Sequence, residues 1–295
     1  MKTLFYRSLI ALSRKTGAIV FNVFAWFVAT GYFFFLPSRV SASIYFYRAL
    51  FKDQPLSYHL WCAWRQYHHF TSVYLDRSHF RSYDESSLVS EGFELLVDAL
   101  KQGKGAIVLM SHMGNWEVAA HWMKERGMKV LLYVGRKYEE QIEGMQKESL
   151  TRAGIKLVAV DREGGSPFDL LEGINFLRDG GVVSMTGDRI WSAEQRSMPV
   201  RFLDHEALLP ESPHLFALLT GAPILIFFVF RLGSGKYQTI MLPPRYVTAP
   251  NRAGRQEAIR DSAQWYADQL EAMVRDHPFE WYHFEPFLGR KLPFF

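Results

Sequence analysis

The chain has 295 residues, 48% hydrophobic and 22% charged, which is long enough for a sizeable core and too apolar for a disordered chain. A single cysteine excludes a disulfide scaffold and every multi-cysteine zinc or iron–sulfur site, and no short repeat or low-complexity tract occurs. Aromatic residues reach 16%, with 24 Phe, a bias that asks for a membrane or an acyl chain as partner.

The net charge of +4 is unevenly placed. Residues 1–52 hold no Asp or Glu but carry Lys2, Arg7, Arg14, Lys15, Arg39, Arg48 and Lys52, so the rest of the chain is mildly acidic. A basic, acid-free, aromatic-rich arm suits anionic membrane lipid; an arm for nucleic acid would be less apolar, and no nucleic-acid partner is expected. Between Thr16 and Leu36 no residue is charged, and about 20 apolar residues in a helix reach across ~30 Å of hydrocarbon. The stretch is longer than the apolar core of a secretory signal peptide and lacks a clear small-residue cleavage site. Cations flank it on both sides, so the positive-inside rule gives little orientation. The expectation is an N-terminal hydrophobic helical membrane anchor, interfacial or spanning, with a buried core helix as the soluble alternative.

Residues 1–80 read as a helical anchoring region and 81–295 as an α/β domain, with the boundary in the Ser78–Ser87 stretch. Trp61, Trp64, Tyr67 and Phe70 recur at near-helical spacing and face core, membrane or an acyl groove; Cys62 among them reads as packing. His68-His69 lacks the spacing of a zinc motif, and no metal is expected.

Beyond residue 90, strands and helices alternate. Gly105–Met110 is a short continuous apolar run, as for a strand buried on both faces. A helix is predicted over about Trp116–Arg126, then a strand at Met128–Val134, a charged helix at Lys137–Ala153 and a strand at Lys156–Val160. Pro167 opens a further helix that Gly180-Gly181 closes, before a strand at Val182–Met185. A short helix at Ser212–Thr220 precedes the long strand Pro223–Arg231, which pairs with Lys236–Leu242 across a Gly-Ser-Gly turn. An amphipathic helix at Ala253–Arg275 carries Ile259, Ala263, Tyr266, Leu270 and Met273 on one stripe. This rhythm predicts an α/β fold, a mostly parallel central sheet flanked by helices.

The chemistry-bearing segment follows the first buried strand: Ser111-His112-Met113-Gly114-Asn115-Trp116-Glu117. On one regular helix, His112 and Glu117 would point far apart. They can cooperate if His112 lies in the loop leaving the strand and Glu117 in the first helical turn, with Asn115 as N-cap and Gly114 permitting the tight turn. Open α/β sheets place their sites there. A histidine held by a carboxylate is a general base that needs no protein nucleophile, and Glu117 is expected to fix its tautomer and stabilise the imidazolium. Ser111, adjacent on the strand, points to the opposite face.

The segment 111–117 resembles the signature of the bacterial lipid A biosynthesis acyltransferase family, within the lysophospholipid acyltransferase superfamily. The resemblance continues through Val183-Ser184-Met185-Thr186-Gly187-Asp188-Arg189, through Leu208–Pro223 and into the aromatic Glu280-Trp281-Tyr282-His283-Phe284. It implies transfer of a fatty acyl group from acyl carrier protein or acyl-CoA to a hydroxyl of a glycolipid. Under it, His112 is the base, Glu117 its partner, and Asn115, Arg136, Asp188 and Arg189 bind substrate; Asp188 falls on the family's Asp position, followed by Arg189 where Gln is usual. No cofactor beyond the acyl donor is implied, and a cytosolic donor places the body on the cytoplasmic face of a bacterial inner membrane. The Glu-Gly-Thr-Arg block of glycerolipid acyltransferases is absent. Backbone N–H groups near Gly114 or an arginine are candidates for the oxyanion, and Arg196 and Arg201 for phosphate. A phosphatidylinositol mannoside or another lipid is the alternative acceptor, and a catalytically silent lipid-binding protein the alternative class. An α/β hydrolase is excluded for want of a G-x-S-x-G elbow.

Overall fold

The computed structural model describes residues 18–79, 88–135, 150–160, 167–190, 194–233 and 235–292. Three helices come first: α1 (Ala18–Phe35), α2 (Pro37–Leu50) and α3 (Leu56–His79). The α/β body continues with β1 (Leu88–Glu91), α4 (Phe93–Lys101), β2 (Ala106–Met110), α5 (Trp116–Glu125), β3 (Val130–Gly135), β4 (Lys156–Val160), α6 (Pro167–Arg178) and β5 (Val182–Thr186). It ends with β6 (Ser197–Phe202), β7 (His205–Pro210), α7 (Ser212–Thr220), β8 (Ile224–Gly233), β9 (Lys236–Met241), α8 (Arg255–Asp276) and β10 (Leu288–Lys291). The charged helix expected at Lys137–Ala153 lies mostly outside the described residues.

Seven strands form the main sheet in the order β1-β9-β8-β2-β5-β3-β4. The pairs from β8 to β4 are all parallel, and β9 runs antiparallel to β8. The alternation of side chains across the pleat divides the core in two. Ile107, Leu109, Val183, Ile224 and Ile226 face α7, α8 and the N-terminal helices. Ala106, Val108, Met110, Val182 and Leu225 face α4 and α5. Every residue of β2 is buried, because both faces are covered.

The central strand β2 feeds across to β3 on one side, whereas the chain after β5 travels to β8 on the other. Two neighbouring strands whose exits diverge leave a crevice at their carboxyl ends, which is where open α/β sheets hold ligands.

Two features go beyond the sequence reading. The charge-free stretch is one helix over Ala18–Phe35, but it does not run straight into the next: α1 and α2 meet at 90°. Pro37 opens α2, and the residue before a proline is pushed out of helical geometry, as Leu36 is at φ −119° and ψ 65°. Among the described residues no single helix is long and apolar enough to cross a membrane, although Val23–Phe35 and Pro37–Leu50 together meet that length and composition. The second feature is a three-stranded sheet, β10-β7-β6, absent from the sequence reading. Its β6–β7 hairpin turns at Leu203 and Asp204, both at positive φ, without the glycine that would have marked it. Lys52 and Arg201 both bind the Asp204 carboxylate and hold the turn.

The N-terminal helices are joined to the body. Phe46, Tyr47, Leu50, Cys62 and Ala63 belong to the same core as the main sheet. Cys62 is fully buried, and that burial pushes its thiol up to about 11, which makes it an inert packing residue.

Candidate active site

The parallel register of β2 and β5 sets Met110 beside Thr186. Two residues past each of these positions come His112 and Asp188, 76 residues apart in sequence and in direct contact. The His112 Nδ1 lies 2.8 Å from Asp188 Oδ1, and the His112 backbone N–H donates to Oδ2 at 2.8 Å. The indole Nε1–H of Trp281 donates to the same Oδ2 at 2.8 Å. Asp188 has no exposed surface. Burial alone would raise its carboxyl; the charge and hydrogen bond of His112, with His283 and the Trp281 indole, outweigh it and hold Asp188 well below the usual carboxylate range. An ionised carboxylate only accepts, so the proton sits on Nδ1 and Nε2 is the basic nitrogen. The His112 side chain keeps 18% of its surface exposed, against none for Asp188, so the imidazole is reachable while the carboxylate is sealed.

The turn after β2 depends on Gly114. Its φ is +66°, and a Cβ there would stand 1.8 Å from the Val229 carbonyl oxygen. The close approach lets the Asn115 N–H donate to that carbonyl at 2.9 Å, tying the loop to β8. At the next strand end, Gly187 leaves room for the Tyr266 ring, which a Cβ would meet at 2.6 Å. The Tyr266 hydroxyl donates to the Met110 carbonyl, pinning α8 across the exit of β2.

A C-terminal strap closes the loop from the other side. The Gly114 N–H donates to the Glu280 carbonyl and the Tyr282 N–H to the His112 carbonyl, each at 2.8 Å, with Met113 and Trp281 bridged between them. Helices α2 and α3 grip this strap. The Gln66 amide donates to the Trp281 carbonyl at 2.6 Å and the Tyr47 hydroxyl to the Pro278 carbonyl at 2.9 Å. Phe46 packs on Trp281, and Tyr67 and Phe70 on Phe284.

The carboxylate on Nδ1 is thus that of Asp188, which the sequence reading placed among the substrate-binding residues, and not that of Glu117. The cause is tertiary: neighbouring parallel strands bring their exits side by side. Glu117 is buried in the first turn of α5, with Oε1 3.9 Å from His121 Nε2. Asn115 stands at the N-cap without capping by its side chain, whose Nδ2 donates to the buried Tyr237 hydroxyl at 3.2 Å. Arg189 follows Asp188 at the exit of β5, and its charge reaches His283. Arg136 lies outside the described residues. Of the backbone N–H groups near Gly114, which with an arginine were candidates for the oxyanion, those of Gly114 and Asn115 donate to backbone carbonyls. Arg196 pairs with Glu211 at 3.0 Å and Arg201 with Asp204, which engages both in ion pairs within the fold.

Residues 74–288 match the family described as bacterial lipid A biosynthesis acyltransferase. The chain belongs to that family. The resemblance read from residues 111–117 and 183–189 is borne out over most of the chain. Among curated relatives, a phosphatidylinositol mannoside acyltransferase of Mycobacterium tuberculosis is 24% identical over 195 residues, covering 66% of this chain and 58% of the relative. Another, from Mycolicibacterium smegmatis, is 22% identical over 191 residues, covering 65% and 59%. The chain therefore matches somewhat under two thirds of the length of these relatives.

Sequence reasoning missed Trp281 and His283 as members of the site. Trp281 holds Asp188, and the His283 ring lies 6.3 Å from that of His112, edge to face. The sequence carries both in the aromatic run 280–284, where the family resemblance gives neither residue a role.

Proposed function

We propose that this protein moves a fatty acyl group from a thioester donor, acyl carrier protein or acyl-CoA, to a hydroxyl of a membrane glycolipid. The observation that carries the reading is the His112–Asp188 pair, a reachable imidazole on a sealed carboxylate at the carboxyl ends of the central strands. His112 Nε2 takes the proton of the acceptor hydroxyl as its oxygen attacks the thioester carbonyl. Collapse of the tetrahedral intermediate expels the thiolate, which recovers the proton from the imidazolium, and the ester is formed without a covalent enzyme intermediate. Asp188 fixes the tautomer and stabilises the imidazolium, as the carboxylate of a catalytic triad does, with the acceptor's own hydroxyl in place of serine. Glu117 places a second buried acidic side chain in the first turn of the helix that follows the His112 loop. Arg189 serves as the cation at the strand exit, for the oxyanion or a phosphate on either substrate.

Family membership supports acyl transfer to a lipid, with a lipid A-like glycolipid as acceptor. The mycobacterial relatives support a phosphatidylinositol mannoside as the alternative acceptor. The bent apolar pair α1–α2, with Phe27, Phe34 and Phe35 exposed, supports attachment to a membrane, and a cytosolic donor supports the cytoplasmic face of the inner membrane.

Lipids extracted from cells expressing the wild type or His112→Ala, compared by mass spectrometry, test the reading. A lipid heavier by one acyl group is expected with the wild type, and at least ~100-fold less of it with the variant, the scale of a general base. Equal amounts from both would sink the assignment and favour a lipid-binding role.

A further inference from the structure

A cavity of about 250 Å³ opens between α2 and the C-terminal strap. Ser38, Ser41 and Ala42 give it a small-residue wall on the helix side, and Trp281 and His283 form the wall it shares with the His112–Asp188 site. It is smaller than a drug-sized site of several hundred Å³, so it holds one ring or a short chain rather than a whole lipid. Among the described residues no lysine or arginine lines it and Glu285 is the one acidic residue that does, which disfavours a phosphate or carboxylate guest.

The protonation of His283 is set by its neighbour. Its Nδ1 lies 3.2 Å from the Glu285 carbonyl oxygen, and a carbonyl only accepts, so Nδ1 carries the proton. Nε2 is then left with a lone pair. An imidazole in this form, on the wall of a cavity whose rim is aromatic, offers an acceptor to a hydroxyl or amide N–H of a guest and apolar ring faces to its carbons.

We propose that this cavity is the subsite for the uncharged, hydroxyl-bearing part of the acceptor, and that His283 Nε2 accepts a hydrogen bond from one of its hydroxyls, steering the neighbouring hydroxyl to His112. The inference rests on the acyl-transfer reading above. His283 acts here as a specificity residue: it selects and orients the acceptor, while the proton moves through His112. The amide N–H groups of the donor's pantetheine arm offer the same chemistry, and kinetics separates the two sources.

The test uses the full chain in detergent with radiolabelled palmitoyl thioesters of acyl carrier protein and of CoA as donors, and the lipid extract of the native host as acceptor. The apparent KM is measured for each substrate in turn in the wild type, His283→Phe and Ala42→Leu, with folding checked by circular dichroism. The acceptor KM is expected to rise about tenfold in both variants, the scale of one hydrogen bond or of a filled pocket, with the donor KM within about twofold. His283→Asn, whose amide oxygen still accepts, is expected to recover part of the loss. A rise confined to the donor KM would give the cavity to the pantetheine arm and overturn the proposal, and so would unchanged values for both substrates. Failure of the wild type to label any lipid would instead overturn the acyl-transfer reading.

Discussion

The loop after β2 and the strap at residues 278–284 meet at the same site but are held in different ways. The loop is fixed by its own backbone: Gly114 allows an approach to Val229 that no side chain would tolerate, and the 113–115 segment bridges to β8 and to the strap. The strap is fixed by other elements' side chains, Gln66 and Tyr47 from the N-terminal helices, and by ring packing on Phe46 and Tyr67. The loop brings His112, and the strap brings the indole that holds Asp188. The geometry of the pair therefore depends on the apolar N-terminal helices as well as on the sheet.

This contrast can be broken in order of expected effect. Asp188→Asn keeps the shape but removes the charge that pairs with the imidazolium and lets Nδ1 lose its proton; turnover is expected to fall by at least ~100-fold with the acceptor KM little changed. A loss under tenfold, measured with the labelled thioester, would return the orienting role to Glu117.

A second effect concerns only the strap. Burial is the largest cause that pushes the His283 imidazole down to about 4, from an ordinary value of 6.5. The unfolded chain then takes up this proton first as pH falls, so the stability is complete above pH 6.5 and is lost progressively down to pH 4. At pH 5 the loss from this residue is on the order of 2 kcal/mol relative to pH 7. His214, buried beside Ser262 and pushed down to about 3, adds a similar loss elsewhere in the core. Thermal unfolding followed at both pH values should show a smaller drop for His283→Asn than for the wild type. Equal drops would mean that the strap does not bury its imidazole in solution.

The smallest effect is expected from Trp281→Phe, which keeps a ring against Phe46 and Phe202 but removes one donor from Asp188. One hydrogen bond to a buried charge is worth a factor of about ten in turnover. No change would show that His112 alone holds the carboxylate.

The elements carrying strong local signals were legible without a structure. The strand at 106–110 is a continuous apolar run and those at 156–160, 182–186 and 224–233 are mostly apolar, while the helices at 116–125, 212–220 and 255–276 follow a helical stripe or end at a glycine. The role of Gly114 was also legible, because a strand-to-helix turn at that spacing needs a residue tolerant of positive φ. The hairpin at 203–204 was not, since Leu-Asp carries no turn signature and its stability comes from Lys52 and Arg201. The charge-free run ends at Leu36, just before Pro37 opens the next helix, but the 90° bend between the two helices left no mark of its own.

By itself, the sequence determined the α/β class, the position of His112 at a strand exit and the apolar character of the N-terminal helices, all of which follow from patterns a few residues long. Only the tertiary structure decided which carboxylate serves His112 and that Trp281 and His283 join it. The order of strands in a sheet is set by packing of whole elements, so a contact between residues 112 and 188, or 188 and 281, leaves no mark at either end of the chain segment that joins them.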